Sequence, residues 1–375
     1  MRRGRVSHNR PVFGSSEPAL ELPGGEWLAF AAETKRSISA GRIRDHVERL
    51  PAPRNRQHHP DAMMEADRML IEAFQQAGWI ANRQPFEVTN AAGRLDYASG
   101  HYAAGARPVT YRRLVGGNIV AIKHGTVSGD VILVGAHHDT IRDSRGADDN
   151  TASVAALLEL ACVLGPHDFR DTVILAAFDM EELGMFGSRE LVNLITQTRS
   201  IRGAIVYETM GYTASAPGTQ NVPRGLGWVY PEQMRKIRAR EFRGDWTAVL
   251  YRQQAVDIAR TFGGALVHAA GPDAAMLWRD PADLPLVGRL TGAVSLRGQF
   301  SRSDHLSFWQ SGIAAILVTD TANFRNPHYH RASDAPDTLD YDRLAAIVEA
   351  TAVAVARTAG VQTRAVQMPE ATTFT

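Results

Sequence analysis

The sequence predicts an α/β protein with a mostly parallel central sheet flanked by helices. Three observations carry that expectation. Short, continuously apolar runs, such as 131–134 and 173–178, have the length and composition of strands covered on both faces. Between them lie stretches with apolar residues at helical spacing, as a strand–helix alternation requires. With 375 residues and 44% hydrophobic content, the chain is long enough to bury a large core.

Taken in order, residues 1–35 read as an N-terminal tail with one short helix near 26–34. The rest, 36–375, reads as one domain. Helices are expected at 38–50 and 60–78. In the second, Met63, Met64, Met69, Leu70, Ile71, Phe74 and Ala77 make a broad apolar face, and such a stripe is ordinarily core. Strands follow at 119–123 and 131–135, separated by the turn-forming segment 125–129. In 152–164, Val154, Leu157, Leu158 and Ala161 fall at i, i+3, i+4 and i+7, with Asn150 or Thr151 as N-cap. A strand at 173–178, a helix at 187–196, strands at 204–207 and 313–318 and a closing helix at 341–359 complete the alternation. Residues 212–245 are rich in Gly, Pro, Arg and Trp and lack periodicity. They open a long insertion, around 212–300, suited to walling a cleft.

Composition excludes several function classes. Lys+Arg 41 against Asp+Glu 40 leaves a net charge of +1, so no nucleic acid or anionic membrane is expected as partner. Cys162 is the sole cysteine, which rules out an intramolecular disulfide and a cysteine-rich zinc site. Its apolar helical setting predicts a buried small hydrophobe. The basic start is not followed by an apolar stretch of signal-peptide type, and no run of eighteen apolar residues occurs, so a cytoplasmic protein without a membrane span is expected.

Five segments place His, Asp or Glu at or just after the end of an apolar strand, or in a loop beside one: 135–139 (GAHHD), 146–150 (GADDN), 179–184 (DMEELG), 207–208 (YE) and 327–330 (PHYH). In open α/β sheets, sites form beyond the carboxyl ends of strands, so all five can meet in one crevice. Each alone has an ordinary explanation: a surface histidine, a solvated pair of acids, a turn with a helix cap. Together they suit divalent metal binding, since imidazole and carboxylate are ligands for Zn²⁺, Mn²⁺ or Co²⁺. A shared aspartate would let two ions sit about 3.5–4 Å apart. Of the adjacent Glu181 and Glu182, one could bind metal while the other stays available as a base.

These segments also resemble the zinc aminopeptidase family that includes secreted bacterial leucyl aminopeptidases, glutamate carboxypeptidase and glutaminyl cyclase. The resemblance rests on GAHHDT (135–140), GADDNTASVAALLELA (146–161), FDMEELGMFGS (178–188), YETMGY (207–212), SDHLSFW (303–309) and HYHRASDAPDTLD (328–340), in family order over roughly 40 to 358. It implies a mixed sheet of about eight strands. It also implies two zinc ions and hydrolysis of N-terminal residues from peptides. Position by position, His137 matches a metal ligand, Asp139 the carboxylate that orients this imidazole, and Asp149 the bridging carboxylate. Glu181 matches the general base, Glu182 a ligand and His330 the last ligand. The HxxxD spacing to Asp334 favours His330 over His328. Glu208 departs from the usual Asp of its strand end but remains an oxygen ligand. The sets so implied are His137, Asp149 and Glu208 for one ion, and Asp149, Glu182 and His330 for the other. A glutaminyl cyclase with one metal, a hydrolase of small amides and a binding protein that has lost its chemistry are the alternatives on the same scaffold. The last is weakened because no base or ligand position is missing.

Overall fold

The computed structural model describes residues 16–94, 108–127, 129–284 and 298–362. Helices α1 (Glu26–Ser37), α2 (Ala40–Arg49) and α3 (Pro60–Gln76) come first. A hairpin of β1 (Ile80–Gly93) and β2 (Val109–Lys123) follows, then β3 (Val131–His137), α4 (Ala152–Leu164), the short β4 (Asp168–Phe169) and β5 (Thr172–Phe178). Next come α5 (Glu181–Gly184), α6 (Phe186–Thr196), β6 (Ile201–Glu208), α7 (Leu226–Val229), α8 (Pro231–Ala239), β7 (Thr247–Tyr251), α9 (Val256–Ala270) and β8 (Ala275–Arg279). The chain closes with α10 (His305–Gln310), β9 (Ala315–Thr319), α11 (Tyr341–Ala359) and β10 (Val361–Gln362).

Eight strands form one mixed sheet in the order β1-β2-β5-β3-β6-β9-β7-β8. The four central strands are mutually parallel, while β2 runs antiparallel to β5 and β7 antiparallel to β9. Mostly parallel and mixed, this sheet matches the expectation from the sequence. Because successive side chains alternate between faces, each central strand feeds two cores. Ile132, Val134 and Ala136 of β3 join α1–α4, α9 and α11 on one side. Val131 and Leu133 join α6, α8 and α10 on the other. β3 and β5 are buried at every position, which is why both read as unbroken apolar runs.

Several expectations need correction. β1, the outer half of β2, β7 and β8 were not expected from the sequence. β1 is largely exposed and carries Pro85, as suits an edge strand rather than a buried one. Within the described part of 212–300, β7, α9 and β8 belong to the main sheet and its helical layer, and 212–245 holds α7 and α8 between irregular stretches. Cys162 is exposed, because it falls on the one solvent-facing position of an otherwise buried α4. Residues 1–15 of the N-terminal tail lie outside the described residues, but 16–37 are docked. Glu17 accepts from Leu277 N (2.9 Å) along the edge strand β8, and Glu21 N donates to Arg260 O (3.1 Å). No helix among the described residues is long and apolar enough to cross a membrane.

Candidate metal centre

The carboxyl ends of β5, β3 and β6 lie side by side, with His137 opposite Phe178 and Ala136 opposite Tyr207. His137 ends β3, Glu208 ends β6, and Glu181 and Glu182 follow β5 after one turn. Asp149 enters from the tight segment between β3 and α4, and His330 from the loop before α11. The fold therefore gathers residues spread over nearly two hundred positions.

Asp149 stands at the middle. Its Oδ1 is 3.2 Å from His137 Nε2 and its Oδ2 is 2.9 Å from His330 Nε2. Glu208 Oε2 lies 3.3 Å from His137 Nε2, and Glu182 Oε1 lies 3.7 Å from His330 Nε2. Among the described residues three groups have ligand atoms within 4.8 Å of one another: His137, Asp149 and Glu208; Asp149, Glu182 and His330; and His137, Glu181 and Glu182. The rival His328 is only half-buried, lies outside these groups and contacts Ser333 Oγ at 3.0 Å. His138, next to His137, points across the sheet to Asp67 Oδ1 (3.0 Å) and Phe178 O (2.7 Å), as strand alternation dictates.

The backbone around the cluster is held by carboxylates. Asp139 accepts from Glu181 N and Glu182 N, each at 3.1 Å, and its main-chain oxygen lies 3.0 Å from His137 Nδ1. That contact leaves Nε2 as the nitrogen facing the cluster. Asp334 accepts from Asp148 N (2.9 Å) and Asp149 N (3.2 Å). Met180, Thr209 and His330 all have positive φ, at 60°, 41° and 56°, the strained backbone common where a site is tightly specified.

Electrostatics point the same way. Burial raises Glu182, and Asp149 and Glu181 push it further, well above the ordinary glutamate value. Burial also lifts Glu181, with Arg94 opposing. For Asp149 burial is overcome by His137 and His330, which hold it far below the usual range. Burial disfavours charged His137, yet Glu208, Asp139 and Asp149 outweigh it and raise the imidazole well above its usual value. Such a cluster requires compensating positive charge, from protons or from a cation. Buried His137 Nε2, Asp149 Oδ1 and Glu182 Oε1 make no hydrogen bond, although buried polar atoms nearly always do. Imidazole nitrogen and carboxylate oxygen are the donors a zinc-like ion takes, so the residues fit a divalent metal.

Three neighbours had no assigned role in the sequence reading. Arg94 Nη2 donates to Glu181 Oε1 at 2.9 Å. Ser303 Oγ donates to Glu208 Oε2 at 2.7 Å. Asp304 is buried with neither oxygen hydrogen-bonded; burial and then Glu181 push its carboxyl well up. The last two lie in SDHLSFW, so their segment was visible but not their work. Arg94 directly follows the exposed edge strand β1 and left no signal. Beside the cluster opens a cavity of about 110 Å³. Glu181, Asp149 and Glu208 border it, and Trp246, Trp278, Leu250, Leu317 and Phe300 form apolar walls.

Comparison with known proteins bears on the family and the fold. The profile of peptidase family M28 matches residues 118–261 and 285–355. The uncharacterized protein YfbL of Escherichia coli is 35% identical over 244 residues, covering 62% of this chain and 68% of that one. Aminopeptidase YwaD of Bacillus subtilis is 32% identical over 90 residues, covering 24% of this chain and a shorter share, 20%, of its own. Among solved structures, the zinc aminopeptidase BSAP of Bacillus subtilis superposes with a TM-score of 0.60 at 16% identity, covering 88% of this chain and 97% of that one. The glutaminyl cyclase of Fimbriiglobus ruber superposes with a TM-score of 0.55 at 17% identity, covering 85% and 95%. At those identities the likeness is one of fold.

Proposed function

Because the chain belongs to peptidase family M28, we propose that it is a zinc-dependent aminopeptidase that removes N-terminal residues from peptides through two metal ions sharing Asp149. The observation that carries this reading is the Asp149 carboxylate, set between His137 and His330 with a further carboxylate on each side. His137, Asp149 and Glu208 would hold one ion, and Asp149, Glu182 and His330 the other. Bound zinc supplies Lewis acidity, polarising a carbonyl and bringing the pKa of water down to about 7.

The chain supplies the rest. Glu181, not assigned to metal, takes the proton of the attacking water and passes it to the leaving amine. Asp139 fixes the turn that carries both glutamates through their amide hydrogens. The apolar cavity beside the cluster accepts the N-terminal side chain, and its tryptophans suit a large apolar one. Residues 36–375 make up the catalytic domain, and 1–35 precede it as an N-terminal segment. Within the insertion around 212–300, residues 212–245 wall the cleft, as Gln220, Val222 and Leu226 at the cavity support.

Elemental analysis of purified protein, paired with aminoacyl arylamides and their N-blocked counterparts, tests the proposal. The expected result is more than one zinc equivalent per chain and hydrolysis confined to substrates with an unblocked amine. A ceiling of one equivalent, with cyclisation of N-terminal glutamine in place of hydrolysis, would replace it with the cyclase reading.

A further inference from the structure

The β1–β2 hairpin reaches beyond the sheet. β2 pairs with β5 only from Ile119 to Lys123, whereas its pairing with β1 extends out to Gly93 opposite Val109. The outer arm ends against the α5 turn, which carries Glu181. A Cβ at Gly93 would stand 2.4 Å from Leu183 O, so this close approach requires glycine. Arg94 N donates to Leu183 O at 2.8 Å. The Arg94 guanidinium donates through Nη2 to Glu181 O at 2.8 Å and to Glu181 Oε1 at 2.9 Å. On the facing strand, Tyr111 OH donates to Arg94 O at 2.6 Å, and its ring meets Phe186 edge-on. Phe86, Leu114, Met180, Leu183 and Phe186 join arm and turn in an apolar cluster separate from both main cores.

Among the described residues, Glu181 is the one carboxylate of the cluster joined to an arginine; Asp149, Glu182 and Glu208 face imidazoles. A glutamate carboxylate turns easily about its last bond, and a base that turns is out of line with its proton. With Oε1 held by Arg94, Oε2 is the oxygen that remains to accept that proton. We propose that Arg94 is a positioning residue: the hairpin arm anchors its guanidinium on Glu181, sets the orientation of that carboxylate and clamps the turn beneath it. The inference deepens the reading of Glu181 as general base and rests on it.

The test uses the full-length, metal-loaded protein and its Arg94→Ala and Arg94→Lys variants. Misplacing a reacting group by about 1 Å costs a factor on the order of 10². Arg94→Ala should therefore lose roughly 10- to 100-fold in kcat on an aminoacyl arylamide, with KM and zinc content unchanged. Arg94→Lys should recover part of the loss, and added guanidinium should restore rate to Arg94→Ala. Hydrogen exchange, which needs no turnover, should rise in 180–186 of Arg94→Ala and stay level elsewhere in the sheet. Unchanged exchange in 180–186 overturns the clamp whatever the activity. So does a kcat within about twofold of wild type, or a loss of zinc that accounts for the loss of rate. Wild-type protein that releases no N-terminal residue would defeat the aminopeptidase reading instead, and exchange alone would then decide on the clamp.

Discussion

Glu181 and Glu182 share a peptide bond, yet one faces Arg94 and the other His330. That divergence separates their expected losses. Glu181→Gln should retain full metal content while kcat falls by roughly 10²–10⁴, the usual cost of a missing general base. Glu182→Gln should instead lose metal and activity together; elemental analysis alongside kcat reads both, and the reverse pattern would exchange the two roles. Glu208 is longer by a methylene than the aspartate usual at this strand end, and Ser303 holds it at 2.7 Å. Glu208→Ala should weaken metal binding, while Glu208→Asp retains much of the activity; a metal titration showing normal affinity in the alanine variant would remove Glu208 from the ligand set. In the cavity, Trp246→Ala should lower kcat/KM for leucyl and phenylalanyl arylamides by roughly tenfold or more, and for alanyl arylamide far less, since a pocket discriminates by the apolar surface it covers. Equal losses on all three would place the N-terminal side chain elsewhere.

At the scale of elements, the site stands on the ends of strands whose interiors are packed on both sides. Leu133, in the middle of β3 and fully buried, anchors the strand that ends in His137. Leu133→Ala should cost about 2–5 kcal/mol, as truncation of a packed core leucine does, and urea unfolding measures it. A cost under about 1 kcal/mol would mean that β3 is less tightly packed than its burial indicates. Helix α11 begins at Asp340, whose carboxylate accepts from Arg343 N at 2.9 Å. This cap lies six residues beyond Asp334, the support of the Asp148–Asp149 turn, so helix start and site loop are fixed by one short segment.

Over the whole molecule, one sheet carries both cores and the cluster of histidines and carboxylates at its carboxyl edge. Buried acids at that edge are costly without positive charge, so metal and folding should be linked. Removing metal with a chelator should lower the melting temperature, and zinc should restore it. Saturation at a hundredfold above Kd corresponds to about 2.7 kcal/mol. A melting curve indifferent to chelator, once metal loss is verified, would show that the cluster is stable without an ion. The N-terminal segment closes the far edge of the sheet, where Glu17 takes the amide of Leu277.

Much of this was determined by the sequence alone. Strand and helix patterns report local burial, so the central strands, α4, α6 and α11 could be read from periodicity. The residues proposed to ligate metal stood out because chemistry limits such ligands to a few types and the fold places them just after apolar runs. The tertiary structure decided what depends on distant neighbours. Arg94 meets Glu181 across 87 positions, Ser303 meets Glu208 across 95, and Asp334 meets Asp148 across 186. It also showed Cys162 as the exposed member of an apolar helix, and placed β7 and β8 in the sheet although their surroundings read as insertion. None of these could be read from spacing, because which side chain a residue meets across a sheet or at a hairpin's end is set by packing, and packing leaves no period in the sequence.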